Sequence, residues 1–194
     1  MDTSLINEFR TVDEFSRKAG KAVSVFGSAR IAEGSNYWNQ AFEVSALIAG
    51  AGYSIITGGG PGVMRAANAG AKSVGGSTVG ANIMLPFEPL NTIHQDVSMV
   101  FNEFFTRKIV LLGQSEAFVC LPGGVGTLDE MFEILTLVKT ERMQARPIIL
   151  IGRSFWSGLL NWLRDNLIGE GLIGWFSMLT TNGFNNYQSM GWKS

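Results

Sequence analysis

The sequence predicts an α/β fold: a three-layer sandwich in which helices cover both faces of a mainly parallel sheet. Three observations carry that expectation. Short β-rich runs alternate with helical stretches of ten or more residues along the 194-residue chain, and parallel neighbours need connections of that length. Runs such as Ile148-Ile149-Leu150-Ile151 are apolar at every position, as strands buried on both faces must be. Two glycine-rich turns each follow directly on such a run, at the carboxyl edge where open parallel sheets hold their ligands.

Taken in order, about Asn7 to Ala19 reads as a leading helix, and Ala22-Val23-Ser24-Val25-Phe26 as the first strand, stopped at Gly27. Asn36 to Ala49 carries Tyr37, Ala41, Val44, Leu47 and Ile48 on one helical stripe, ended by Gly50 and Gly52. Tyr53 to Thr57 is a second strand, followed by Gly58-Gly59-Gly60-Pro61-Gly62 and a helix to about Ala71, with Pro61 in its first turn. Ser77 to Ile83 and Val97 to Phe101 are the third and fourth strands, separated by a loop with Pro86 and Pro89. A helix over about Asn102 to Leu112 stops at Gly113, and Ala117 to Leu121 is the fifth strand. Pro122-Gly123-Gly124-Val125-Gly126 leads into a helix from about Thr127 to Lys139. Pro147 to Ile151 is the sixth strand, and Phe155 to Asn166 a further helix. No repeat or linker divides the chain, so residues 1–194 read as one nucleotide-binding domain with an atypical tail at 171–194.

Composition narrows the function. Apolar residues make up 46% of the chain, which excludes disorder. Net charge is −1, from 15 basic and 16 acidic residues; nucleic-acid binders carry a basic excess, so no such partner is expected. A small local phosphate site stays compatible with that balance. Cys120 lies in the apolar run Ala117-Phe118-Val119-Cys120-Leu121 and reads as a buried strand thiol rather than a nucleophile. A single cysteine forms no internal disulfide and fits a reducing, cytoplasmic setting. No run of about 18 apolar residues suggests a membrane span, and the polar opening lacks the pattern of a signal peptide.

The two glycine loops draw attention to phosphate. In Thr57-Gly58-Gly59-Gly60-Pro61-Gly62-Val63-Met64, the backbone of Gly59 and Gly60 can approach a ligand closely at the start of a helix. The alternative is a tight strand-to-helix turn with no ligand. In Pro122-Gly123-Gly124-Val125-Gly126-Thr127-Leu128-Asp129-Glu130, a phosphate can take the N–H groups of Gly124 to Thr127 and the Thr127 hydroxyl. The alternative there is a capping box, Thr127-x-x-Glu130, closing the helix by itself. Neither loop matches a dinucleotide or P-loop fingerprint: Val63 and Asp129 stand where the last glycine would be. Two anion-ready turns therefore point to a mononucleotide site of another kind.

Arg107 lies early on the helix preceding the fifth strand, and helical side chains lean back toward their own N-terminus. It can reach the sheet edge where Glu130 begins the next helix. Solvated helix charges are the plainer reading of Arg107 and Lys108. His94, in the polar loop Asn91 to Asp96, reads as a surface residue, and no second His or Cys stands near enough for a metal site.

With Val25-Phe26-Gly27-Ser28-Ala29-Arg30, the first glycine loop, Arg107-Lys108 and Pro122 to Glu130 together, the chain resembles the Lonely Guy family. That family's motif is P-G-G-x-G-T-x-x-E with an Arg-Lys pair upstream, and many members carry the label "possible lysine decarboxylase". The resemblance covers about Ala22 to Leu163. It implies a Rossmann-like enzyme, homodimeric or of higher order, that releases a free base and ribose 5-phosphate from AMP or a cytokinin riboside 5′-monophosphate without a cofactor or metal. It puts catalytic roles on Arg107 and Glu130. It puts substrate contacts on Lys108, Gly123, Gly124, Val125, Gly126 and Thr127, and on Thr136 in the following helix. Molybdenum-cofactor carriers share the fold and are the main alternative, although a carrier does not need an Arg/Glu pair. Pyridoxal-phosphate decarboxylation needs a lysine in a cofactor pocket, and Lys108 is the only lysine near the loops. The tail, with Trp175, Phe176, Phe184, Tyr187 and Trp192, does not look like the family's closing strand and acidic helix. The 85–96 loop aligns poorly, so no base-recognition residue is carried over to it. The exposed aromatics implied by Phe101, Phe104 and Phe105 suit an assembly surface.

Overall fold

In the computed structural model, residues 3–18, 20–85, 90, 92–173 and 179–181 are described. The elements run α1 (Thr3–Lys18), β1 (Ala22–Phe26), α2 (Asn36–Gly50), β2 (Ser54–Thr57), α3 (Val63–Ser73), β3 (Thr78–Ile83), β4 (Val97–Phe101), α4 (Phe104–Gly113), β5 (Ser115–Cys120), α5 (Val125–Lys139), β6 (Ile148–Leu150), α6 (Arg153–Trp162) and β7 (Leu179–Thr181). A π-helical turn over Leu163–Ile168 extends α6.

The strands form one seven-stranded sheet in the order β4-β3-β2-β1-β5-β6-β7. Every pairing is parallel. The central strands are buried on both faces, and their alternate side chains feed two cores. Val23, Val25, Ile55, Val119 and Leu121 pack against α2 and α3, where Ala41, Ala66, Ala67 and Ala71 allow close approach. Phe26, Ile56, Phe118, Cys120 and Ile148 meet the other helix layer, including Val110 and Leu111 of α4, Ile134 of α5 and Trp156 of α6. The edge strand β4 exposes Ser98 and Val100 and buries Met99 and Phe101.

Three expectations need correction. Pro61 lies before the helix rather than in its first turn, because Gly62 is the N-cap of α3. The helix after the second glycine loop begins at Val125, two residues earlier than expected, with Gly124 as N-cap. In the tail, Leu179–Thr181 pairs in parallel with β6, supplying a closing strand where residues 171–194 do not read as one. Three residues are too few for a period-two pattern to register. Pro86, Pro89, Asn91 and the tail aromatics lie outside the described residues.

Candidate active site

The sheet order reverses direction at β1, which has β2 on one side and β5 on the other. Chains leaving β1, β2 and β5 at their carboxyl ends part there and open a crevice, the usual ligand position of such sheets. A cavity of about 580 Å³ occupies it, within the range of small-molecule sites. Its walls come from Gly27 to Arg30 after β1, Gly58 to Pro61 after β2, Gly124 to Thr127 at the start of α5, and Arg107 of α4. The Ser28 peptide links both glycine loops: its N–H donates to the Pro122 carbonyl at 3.1 Å, and its carbonyl accepts from the Val63 N–H at 3.1 Å.

The two loops differ in what they leave free. Gly59 has φ +74°, and a β-carbon there would overlap the Asn82 amide. Its N–H donates to Thr57 Oγ1 at 3.1 Å, and its carbonyl accepts from Gln95 Nε2 at 3.2 Å. Gln95 and Asn82 also hydrogen-bond one another. The first loop is thus partly satisfied from within. The second differs: its N-cap, Gly124, makes no side-chain cap bond, and Gly124 to Thr127, the N-cap and first turn of α5, line the cavity. A helix start of that kind favours an anion. Thr127 is buried in this turn, and its side chain fills the space that a β-carbon on Gly123 would need.

Because α5 begins at Val125, Thr127 is its third residue and not its N-cap, so the capping-box alternative falls. Glu130 instead turns toward α4. Its Oε1 accepts from Arg107 Nη2 at 3.0 Å, with side chains 9% and 12% exposed respectively. Burial pushes the Glu130 carboxyl above the usual carboxylate range, and the Arg107 guanidinium beside it pulls the other way. Arg107 also lies 5.3 Å from the centre of the Phe104 ring. Its Nε is buried with no hydrogen-bond partner among the described residues.

Arg107, Glu130, Gly59, Gly60, Gly124, Val125, Gly126 and Thr127 therefore share one cavity. Lys108, Gly123 and Thr136 do not line it. The Lys108 ammonium pairs with Asp129 at 2.7 Å and Glu133 at 2.6 Å, tying α4 to α5 outside the cavity. Thr136 is exposed and donates to the Phe132 carbonyl at 2.8 Å. His94 is exposed, and Cys120 is fully buried, where burial raises its thiol well above the ordinary range. Sequence reasoning singled out neither Arg30 nor Asn82, both in the wall. Arg30 closes the Val25 to Arg30 run, so its place after the first strand was the available signal. Asn82 sits inside a strand and offered none.

The fold and this crevice define a Rossmann-like α/β protein whose site has the size and charge pattern for a phosphorylated small molecule. A family model described as "Possible lysine decarboxylase" matches residues 64–181. A cytokinin riboside 5′-monophosphate phosphoribohydrolase from Mycobacterium tuberculosis is 36% identical over 138 residues, covering 69% of this chain and 72% of that protein. The same named enzyme from Rhodococcoides fascians is 29% identical, covering 84% and 83%. Among solved structures, the molybdenum cofactor carrier protein of Chlamydomonas reinhardtii superposes with a TM-score of 0.59 at 26% identity, covering 84% of this chain and 89% of that one. The chain belongs to the possible lysine decarboxylase family, the group that the Lonely Guy motif marks.

Proposed function

We propose that this chain is a nucleoside 5′-monophosphate phosphoribohydrolase, acting on AMP or a cytokinin riboside 5′-monophosphate, with Arg107 and Glu130 as its catalytic residues. The observation that carries the reading is the Arg107–Glu130 pair, 3.0 Å apart and nearly buried, in the cavity that the free start of α5 also lines. The relatives' names supply the reaction.

In that reaction the bond between C1′ of ribose and the base nitrogen breaks. A water oxygen joins C1′, and a proton goes to the departing base. Positive charge develops on the sugar, as in O-glycoside hydrolysis. The Glu130 carboxylate stabilises that charge or activates the water. Arg107 pulls the buried carboxyl toward its ionised form, against burial, and holds its direction. The phosphate, bound by the N–H groups of Val125 to Thr127 and the Thr127 hydroxyl, supplies remote binding energy for positioning. The lining also includes Ile83, Leu85, Leu90 and Phe104, apolar side chains suited to a flat base.

The carrier reading lacks a use for the buried Arg/Glu pair. The decarboxylase reading lacks a lysine: among the described residues none lines the cavity, and the Lys108 ammonium is held by two carboxylates. We further place the enzyme in the cytoplasm as a homo-oligomer; the support is one buried free thiol and the exposed Phe104, Phe105 and Ile109 of α4, whereas Phe101, expected on that surface, is buried. Among the described residues, no helix is long and apolar enough to cross a membrane. The deciding experiment is a product assay across AMP, other monophosphates and a cytokinin ribotide. Free base with ribose 5-phosphate supports the proposal, whereas intact nucleotides together with tight pterin binding support a carrier.

A further inference from the structure

We propose that Glu8, on the leading helix, is a positioning residue for Arg107: its carboxylate closes the N-terminus of α4 and so fixes the turn from which Arg107 reaches Glu130. The helix α4 has no cap of its own, since Glu103 at its N-cap makes no side-chain cap bond. Glu8 reaches that end from another helix and ties the residue before the N-cap to the first turn. Its Oε1 accepts from the Asn102 backbone N–H at 2.7 Å and the Asn102 side-chain amide at 3.0 Å, and its Oε2 accepts from the Thr106 hydroxyl. Thr106 is fully buried and immediately precedes Arg107.

This is more than a surface contact between helices. Glu8 is 7% exposed, and a carboxylate is seldom so buried without a partner that needs it. Burial pushes its carboxyl upward, and the bonds from Thr106 and Asn102 outweigh that and hold it below the ordinary range. Its negative charge sits at the positive end of the α4 dipole. At the other end, Arg146 donates to the carbonyls of Leu112, Gly113 and Ser115. The helix that carries Arg107 is therefore clamped by an anion at its start and a cation at its finish. Around Glu8, Phe9 meets the Phe105 ring at 6.4 Å between centroids and Val12 enters the core. The segment lies before residue 64, where the family match begins.

The consequence for catalysis rests on the phosphoribohydrolase reading; the positioning itself does not. Glu130 faces Arg107 and Lys108 from α4, Asp129 from its own helix and the Cys120 thiol from β5. Loosening the start of α4 withdraws the arginine first. The experiment is a carbon-13 NMR titration of the Glu130 carboxyl, assigned by its loss in Glu130→Gln, in the full-length protein and in Glu8→Gln, Glu8→Ala and Arg146→Ala. AMP turnover is measured on the same samples. Glu8→Gln keeps the shape and loses the charge, so it serves if Glu8→Ala does not fold. The expected result is an upward shift of the Glu130 midpoint in the Glu8 variants, with kcat lowered by about tenfold or more and KM changed less. Arg146→Ala, which loosens the far end of the same helix, leaves the midpoint in place. An unmoved midpoint in folded Glu8→Gln overturns the inference, and so does an equal shift in Arg146→Ala. If the unaltered protein cleaves no nucleotide, the functional reading fails while the titration still decides the positioning.

Discussion

Replacing Arg107 by Met tests the centre of the site, because it removes the charge and keeps the stem. The two groups lie 3.0 Å apart with side chains 12% and 9% exposed. At an effective dielectric of about 20, their attraction is roughly 5–6 kcal/mol before desolvation is subtracted. Breaking such a pair leaves a buried carboxylate alone, which costs about 3–5 kcal/mol. For a chain of this size that is a fall in Tm of roughly 6–20 °C. The loss depends on pH, and its direction is fixed. Burial already raises the Glu130 value above the ordinary 4.5, against the pull of Arg107. Without Arg107 the folded value rises further. A carboxyl with a raised folded value favours the native state below its unfolded value, and that contribution disappears as pH climbs through the folded one. Arg107→Met should therefore lose stability progressively above pH 4.5, over a wider range than the unaltered protein. Adding Glu130→Gln should flatten the pH dependence and restore roughly half the loss or more, since no charge then stays buried. Urea unfolding from pH 4 to pH 8 measures all four corners of the cycle. A loss under about 1 kcal/mol, independent of pH and of Glu130, is what an exposed pair gives, and it would refute the reasoning.

Catalysis offers three further tests. Glu130→Gln and Arg107→Ala should each lower turnover of AMP at least about a hundredfold, close to 3 kcal/mol of transition-state stabilisation, while circular dichroism stays native; near-normal rates in both purified variants count against their roles. The acid limb of kcat/KM should lie above the ordinary carboxylate value of 4.5, in the direction burial moves Glu130, and a limb at or below that value contradicts the assignment. Thr127→Val removes the hydroxyl proposed to donate to the phosphate, so KM for AMP should rise about tenfold or more with little change for the free nucleoside; equal effects on both would disconnect Thr127 from the phosphate. For stability, Gly59→Ala meets both φ +74° and the Asn82 amide, and a loss of about 1–3 kcal/mol in urea unfolding is expected, whereas a neutral result would show that this loop adapts freely.

The alternation of β-rich and helical stretches fixed the layers, and apolar runs marked the strands that lie between helices. Val23 and Phe26 could be read as buried, because any central strand of a covered sheet buries both faces. Their division between two cores followed from the period of two. The second glycine loop declared an anion-ready turn, yet its own residues were equally consistent with a capping box. Where α5 starts settled that choice: two residues of extra helix move Thr127 inside the first turn and leave Glu130 to face another element.

Local sequence thus determined the first six strands, the α-helices and the edge on which the glycine turns open, since these depend on the pattern of neighbours along the chain; β7 is too short to show such a pattern. Only the tertiary structure decided which charges meet. Arg107 and Glu130 are 23 positions apart, and Glu8 and Thr106 are 98 apart. Their contacts depend on which strands lie side by side and on the face each helix turns to the sheet. Lys108 illustrates the difference: beside Arg107 in the chain, it points to Asp129 and Glu133 outside the cavity because one residue along a helix is a turn of about 100°.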